Sequence, residues 1–271
     1  MIHIGCSGWS YPEWVGSFYR TDKKLFMQYS EHFSCVEINS SFYSFPSRQA
    51  VKIWVKEASI RKGFSFSIKM PGRITHELLV QDNETAIKEA LRFEQEVLSV
   101  LKNANILIGC LIQLPPFIGR REWPRVISLA EKMERESLNY FVETRNPTLE
   151  IPEVEESLVN LNMGRVLLDS PDHEISTESP AGSSIYVRLH GRNATEWKSG
   201  GTGMSKYDYS YNENELKDIS LTLSKLSLSH DDIFVFFNNH PHGNAPLNAM
   251  RLKELIGTPD EQEKIQKRLF F

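Results

Sequence analysis

Short β-like runs recur from one end of this sequence to the other, most of them separated by a segment of helical periodicity. The runs Ile2–Trp9, Cys35–Phe42, Phe64–Pro71 and Asn105–Leu114 predict four strands. Tyr140–Arg145, Arg165–Asp169, Ser184–Arg192 and Asp232–Asn239 predict four more. Helices are expected near 23–33, 47–62, 84–102, 121–137, 151–162, 212–228 and 245–256. Such alternation implies a parallel sheet, because parallel strands need a long crossover between them. About eight units close a (β/α)8 barrel, the TIM-barrel class of α/β fold, and 271 residues suit one. The stretch from Ser170 to Ser184 is short and rich in Pro, Ser and Gly. The crossover helix after the sixth strand is therefore expected to be missing or reduced. No composition shift, internal repeat or low-complexity tract marks a boundary, so a single domain over 1–271 is expected.

A period of two inside the strands says more. Parallel strands covered on both faces read as nearly continuous Val, Ile and Leu. Several here alternate instead. Val36 and Ile38 alternate with Glu37 and Asn39, and Phe66 and Ile68 with Ser67 and Lys69. Val142 and Thr144 alternate with Phe141, Glu143 and Arg145; Val187 and Leu189 with Tyr186, Arg188, His190 and Arg192. In a barrel one parity packs on the helices and the other faces inward. The apolar parity belongs on the helices, which sends Glu37, Asn39, Lys69, Glu143, Arg145, Arg188 and His190 inside. These residues lie late in their strands, at the C-terminal ends where barrel active sites are built. Gln113, Asp169, Asn238 and Asn239 close the fourth, sixth and eighth strands in the same way. A set of purely structural ion pairs would explain any one of these residues, but so many polar strand ends together point to a site.

Composition limits the partners. The formal charge of -4 offers no general attraction for nucleic acid or anionic lipid, so anion binding must be local. The chain opens on Ile2-His3-Ile4-Gly5-Cys6 with no basic leader or cleavage site, which predicts a cytoplasmic protein. Its longest apolar runs are too short to span a bilayer, so no membrane partner is expected. Cys6, Cys35 and Cys110 are widely spaced in apolar runs and read as buried thiols rather than metal or cluster ligands.

Longer motifs carry a resemblance. The opening Ile4-Gly5-Cys6-Ser7-Gly8-Trp9-Ser10-Tyr11-Pro12-Glu13-Trp14 leads to Phe18-Tyr19. Val36-Glu37-Ile38-Asn39-Ser40-Ser41-Phe42-Tyr43 follows, then Lys69 with Thr75-His76, Gln113-Leu114-Pro115-Pro116, and Val142-Glu143 with Arg145. Tyr186-Val187-Arg188-Leu189-His190-Gly191-Arg192 and Phe237-Asn238-Asn239-His240, with Gly243, Ala245 and Pro246, complete the set. Over essentially its whole length the chain resembles domain-of-unknown-function family 72, the YecE-like proteins. That resemblance implies a TIM barrel and no particular reaction. The chain departs from the family pattern in carrying Ser41 where many members have Thr, and Asn146-Pro147 where Arg-His-x-x-Trp usually continues.

The chemistry expected of the strand ends is acid/base work on a small anionic or polyhydroxylated substrate, such as a sugar phosphate or nucleotide-like molecule. Lys69, Arg145, Arg188 and Arg192 are the candidate anion-binding groups, since guanidinium forks match phosphate and carboxylate. Asn39, Gln113, His190, Asn238 and Asn239 would orient the substrate, with Trp9 and Tyr43 as flat surfaces for a ring. Glu37, Glu143, Asp169 and His76 are the candidate proton carriers. A hydrolase, lyase or isomerase would use such a set. The cofactor is open, with a divalent metal as one option drawn from Glu143, Asp169, His190 and His240. Two alternatives stand beside this reading: non-catalytic binding of a nucleotide or single-stranded nucleic acid, disfavoured by the net charge, and metal-assisted phosphoester hydrolysis. The glycine run after Lys198-Ser199, with Trp197, Tyr207 and Tyr209 around it, is expected to act as a lid.

Overall fold

The structure, a computed structural model, describes residues 1–176, 184–199 and 203–257. Its eight strands are β1 (Ile2–Cys6), β2 (Cys35–Ile38), β3 (Ser65–Lys69), β4 (Leu107–Gln113), β5 (Tyr140–Glu143), β6 (Gly164–Asp169), β7 (Ser184–Leu189) and β8 (Asp232–Phe237). Their order is β1-β8-β7-β6-β5-β4-β3-β2, with the β1–β8, β3–β4, β4–β5, β5–β6 and β7–β8 pairs parallel. Eight parallel strands in chain order, with helices between them, are the α/β class of the (β/α)8 TIM barrel. The described part of the β6–β7 connection, 170–176, holds no helix. Ser170 and His173 instead pair through their backbones, closing a tight turn.

The described residues divide into two compact units: 1–36 with 167–176, 184–199 and 203–257, and 37–166. In the first, β1, β8 and β7 carry the helices Leu25–Ser30, Glu213–Leu226 and Asn244–Gly257. Gly5 is required by close approach, because a Cβ there would lie 2.3 Å from the Cys35 carbonyl oxygen. The Tyr29 hydroxyl ties the same two segments, accepting from Cys6 N at 2.8 Å and donating to Cys35 O at 2.9 Å. The helix Glu213–Leu226 starts with a capping box between Asn212 and Glu215.

In the second unit, β3, β4 and β5 are flanked by the helices Arg48–Ile60, Trp123–Ala130 and Pro152–Asn160. A longer helical stretch runs from Asn83 to Asn103, with a π-helical turn at Glu94–Leu98. Phe141 lies between two glycines on neighbouring strands: a Cβ on Gly109 or on Gly164 would come 2.8 Å from its ring. Polar and apolar strand positions are alike buried. Glu37, Ser67 and Glu143 are 0% exposed, level with Val36 and Ile68, as strands covered on both faces require.

Most expected elements are present, with trimmed ends. β1 stops at Cys6 and β7 at Leu189 because Gly8 and Gly191 turn the chain with φ of 101° and 87°. The helix expected over 121–137 ends at Ala130, where Glu134 Oε1 accepts from the backbone of Glu136 and Ser137 and holds a turn. Arg73–Leu78, which reads as loop because Pro71-Gly72 precedes it, is π-helical. Pro71 starts that turn, its carbonyl accepting from Ile74 N at 3.0 Å. Cys6, Cys35 and Cys110 are buried free thiols, and burial pushes the Cys35 thiol up to about 12. Among the described residues no helix is long and apolar enough to cross a membrane. Gly200 to Thr202 of the expected lid lie outside the described residues.

Candidate functional site

Within the second unit the strand register brings polar ends together. β4 and β5 align Gln113 with Glu143, and β3 and β4 align Lys69 with Leu111. Beyond β2, Asn39 precedes a short helix, Ser40–Tyr43. Ser41 anchors that helix to the end of β3 by donating from Oγ to the Lys69 carbonyl at 2.6 Å. Phe42 is thereby set under the Lys69 ammonium, with Nζ 4.0 Å from the ring centroid. The same ring meets His76 edge-on at 4.9 Å.

His76 comes from the π-helical turn after β3, and its Nδ1 shares a hydrogen bond with Thr75 Oγ1 at 2.8 Å. Burial, then the positive charges of Lys69 and Arg145, push its pKa down from 6.5 to about 4. The imidazole is therefore neutral at physiological pH and stands beside two cations. Arg145 turns back onto the strand it follows: its Nε and Nη2 both lie 2.5 Å from Glu143 Oε1. That carboxylate is 0% exposed, so the pair fixes the guanidinium. Asn39 Oδ1 is buried without a hydrogen-bond partner among the described residues. The Gln113 side chain makes no hydrogen bond to a described residue. Tyr43, by contrast, is 84% exposed.

The first unit carries its own polar strand ends. Asp169 accepts from Arg192 through Nη2 at 2.6 Å and Nε at 3.1 Å, and from the Tyr211 hydroxyl at 2.7 Å. Tyr211 Oη also accepts from Gly191 N at 2.8 Å, locking the turn that carries Arg192. Burial and the Asp169 charge push the Tyr211 phenol well above its ordinary value. Asn238 Nδ2 donates to His190 Nδ1 at 3.0 Å, which leaves the proton of a neutral ring on Nε2. Asn239 donates to the Tyr209 carbonyl and to Asn248 Oδ1, while its own Oδ1 is buried without a partner among the described residues. Arg188 is buried, at 1% exposure. The His190 ring faces Trp197 and Tyr207 at 6.2 and 5.7 Å, and Tyr207 leads on to His240 and the Tyr11 ring stacked on it. Trp9 packs edge-on against Phe26.

The structure thus gathers Lys69, His76, Glu143 and Arg145 in one unit, and pairs Asp169 with Arg192 and His190 with Asn238 in the other. Glu37 is fully buried at its strand end. Among the described residues no group of three or more His, Cys, Asp or Glu side chains is placed to hold a metal ion. Sequence reasoning missed Tyr211, Asn248 and Phe42. The first two carry no motif and gain their contacts from segments far apart in the chain. Phe42 lay inside a quoted motif but reads as an ordinary apolar residue.

Comparison with known proteins gives one consistent result. The family described as "Protein of unknown function DUF72" matches residues 3–268. The chain is 26% identical to the UPF0759 protein YunF of Bacillus subtilis, over 94% of this chain and 95% of that one. It is 31% identical to the UPF0759 protein YecE of Escherichia coli K12, over 67% of this chain and 64% of that one. Among solved structures, a DUF72 family protein of Thermotoga maritima superposes with a TM-score of 0.82 at 26% identity, covering 95% of this chain and 100% of that one. A second, from Enterococcus faecalis, reaches 0.79 at 21% identity, covering 95% and 96%, and bears on the fold alone.

Proposed function

This chain belongs to the DUF72 family, and from that premise we propose that it is an enzyme that moves a proton on a small anionic, polyhydroxylated substrate, of which a sugar phosphate is the simplest form. The observation that carries the reading is a neutral imidazole, His76, held beside Lys69 and Arg145. An anion drawn to the two cations cancels the charge that suppresses the imidazole's basicity. Binding would then switch on the base that acts on the bound molecule. Asn39, whose buried Oδ1 has no hydrogen-bond partner among the described residues, would take a substrate hydroxyl, with Gln113 beside Glu143 as a second amide. Glu143 serves in this reading to hold Arg145, since Nε and Nη2 of the guanidinium fall on one of its oxygens. Asp169 holds Arg192 in the same manner.

Turnover of a panel of phosphorylated and carboxylated sugars by the protein, His76→Gln and Lys69→Met tests it. The expected result is a loss of roughly 10²-fold or more in kcat for His76→Gln, and a raised KM for Lys69→Met. Wild-type turnover in His76→Gln would sink the role given to the imidazole.

One observation favours a second reading, binding of single-stranded nucleic acid without catalysis: the run of rings Trp197, His190, Tyr207, His240 and Tyr11 in the first unit. Bases stack on such surfaces irrespective of sequence. Oligonucleotide affinity falling steeply with salt would support it, and absence of binding at low salt would end it.

A further inference from the structure

A cleft of about 560 Å³ opens beside His76 within the second unit, a volume typical of small-molecule sites. Phe42, Tyr43 and Phe45 form its aromatic walls, with Arg73, His76 and Glu77 among the polar lining. Phe42 belongs to two environments: it walls the cleft and lies under the Lys69 ammonium. The cleft and the Lys69 ammonium thus share this ring as a neighbour. Gly72 makes the arrangement possible, since a Cβ there would stand 2.8 Å from two carbons of the Phe42 ring. The Tyr43 ring stands at 90° to Phe42, 5.3 Å away, and at 84% exposure keeps most of its flat surface open.

The charged lining is also unspent. Arg73 and Glu77 have no ion-pair partner among the described residues, whereas Arg92, also on the cleft lining, is paired with Glu89 and Glu96. Phe42 and Phe45 each carry a cation over one face, Lys69 and Arg92, so the open stacking surface is Tyr43. A sugar phosphate would leave that ring and the Glu77 carboxylate idle, whereas a heterocycle with exocyclic amino and ring N–H groups matches both, stacking on Tyr43 while its donors meet the carboxylate. Resting on the reading that Lys69 and Arg145 hold the substrate's anion, we infer that this cleft takes a nucleobase and that the substrate class is a nucleotide.

Calorimetric titration of the full chain with the four common nucleoside monophosphates, ribose 5-phosphate and inorganic phosphate tests this. At least one nucleotide should bind about tenfold or more tightly than ribose 5-phosphate, the order of one base–aromatic stack. Tyr43→Ala, at a position too exposed to endanger folding, should cut that ratio by about the same factor. Lys69→Met should weaken nucleotide and ribose 5-phosphate together. Ribose 5-phosphate binding as tightly as every nucleotide would overturn the base subsite while leaving the anion site standing. So would a nucleotide preference that survives in both Tyr43→Ala and Glu77→Gln. No binding of any phosphorylated ligand would overturn both.

Discussion

Arg192 grips Asp169 with two of its nitrogens, Nη2 at 2.6 Å from Oδ2 and Nε at 3.1 Å from Oδ1, while the Asp169 side chain is fully buried. Tyr211 adds a third donor to the same carboxylate. A buried carboxylate with three donors has little capacity left to move protons, but it sets a guanidinium in place. Asp169→Asn removes the charge and leaves Arg192 with the longer ion-pair contact to Glu215, at 3.7 Å. Breaking a buried pair costs about 3 to 5 kcal/mol. Arg192 keeps some contact with water, so roughly 2 to 3 kcal/mol is expected here. Urea denaturation of the variant and of Tyr211→Phe checks it. The tyrosine change should cost about 1 to 3 kcal/mol, because the hydroxyl serves both Asp169 and the Gly191 N–H.

Stability should also depend on pH through His76. The folded chain holds this imidazole neutral down to about 4, while an unfolded chain takes up the proton near 6.5. The unfolded state thus binds more protons between these values, so stability falls as pH drops through that window. His240, whose pKa burial also lowers, adds a change of the same sign. The comparison that isolates His76 is His76→Gln, whose stability should be flatter between pH 6.5 and 4. An equal slope in both proteins would contradict it.

A direct reading of the same relationship is the His76 imidazole signal in an NMR titration. Lys69→Met removes one of the two cations that suppress protonation and should move the midpoint up from about 4 towards 6.5. Adding a bound phosphate ester to the unaltered protein should move it the same way. A midpoint that ignores both changes would mean that burial alone sets it.

Much of this arrangement was legible in the sequence, for a definite reason. Strands buried on both faces leave no room for polar residues except where partners await them, so Glu37, Lys69, Glu143 and Arg188 stand out against their apolar neighbours. The same period of two marked the strands themselves. Less legible were the places where chain conformation depends on distant contacts. Strand ends followed the positive φ of Gly8 and Gly191 rather than the hydrophobic pattern, which continues past them. The π-helical turn that delivers His76 begins at Pro71-Gly72, a pair that reads as a break. Which carboxylate is an anchor and which group is a free base could not be seen at all, because it depends on where Arg145 and Arg192 turn back.

Glycines at close approaches give a stability test independent of the site. Gly5→Ala would drive a Cβ to 2.3 Å from the Cys35 carbonyl oxygen, a backbone atom that cannot swing aside. A cost of about 1 to 3 kcal/mol is expected from such overpacking. Gly63→Ala differs, since nothing lies within 4 Å and only the φ of 84° resists it. Thermal melts of the two variants should therefore separate steric contact from backbone strain, with Gly5→Ala the lower.

The sharpest test of the site turns on Glu143. If it carries the proton, Glu143→Gln abolishes turnover at every substrate concentration. If it holds Arg145, the amide no longer neutralises a guanidinium whose Nε and Nη2 both rest on Oε1. With that negative charge gone, the site attracts an anionic ligand more strongly, and phosphate-ester affinity should rise about fivefold, the order of one added interaction near 1 kcal/mol. The same charge acts on His76, driving its midpoint below about 4 in the free protein. Stability falls in either case, because a buried partner is lost, so a melt alone does not discriminate. Turnover that survives while ligand binding tightens and the His76 midpoint falls identifies an anchor, and lost turnover identifies a proton carrier.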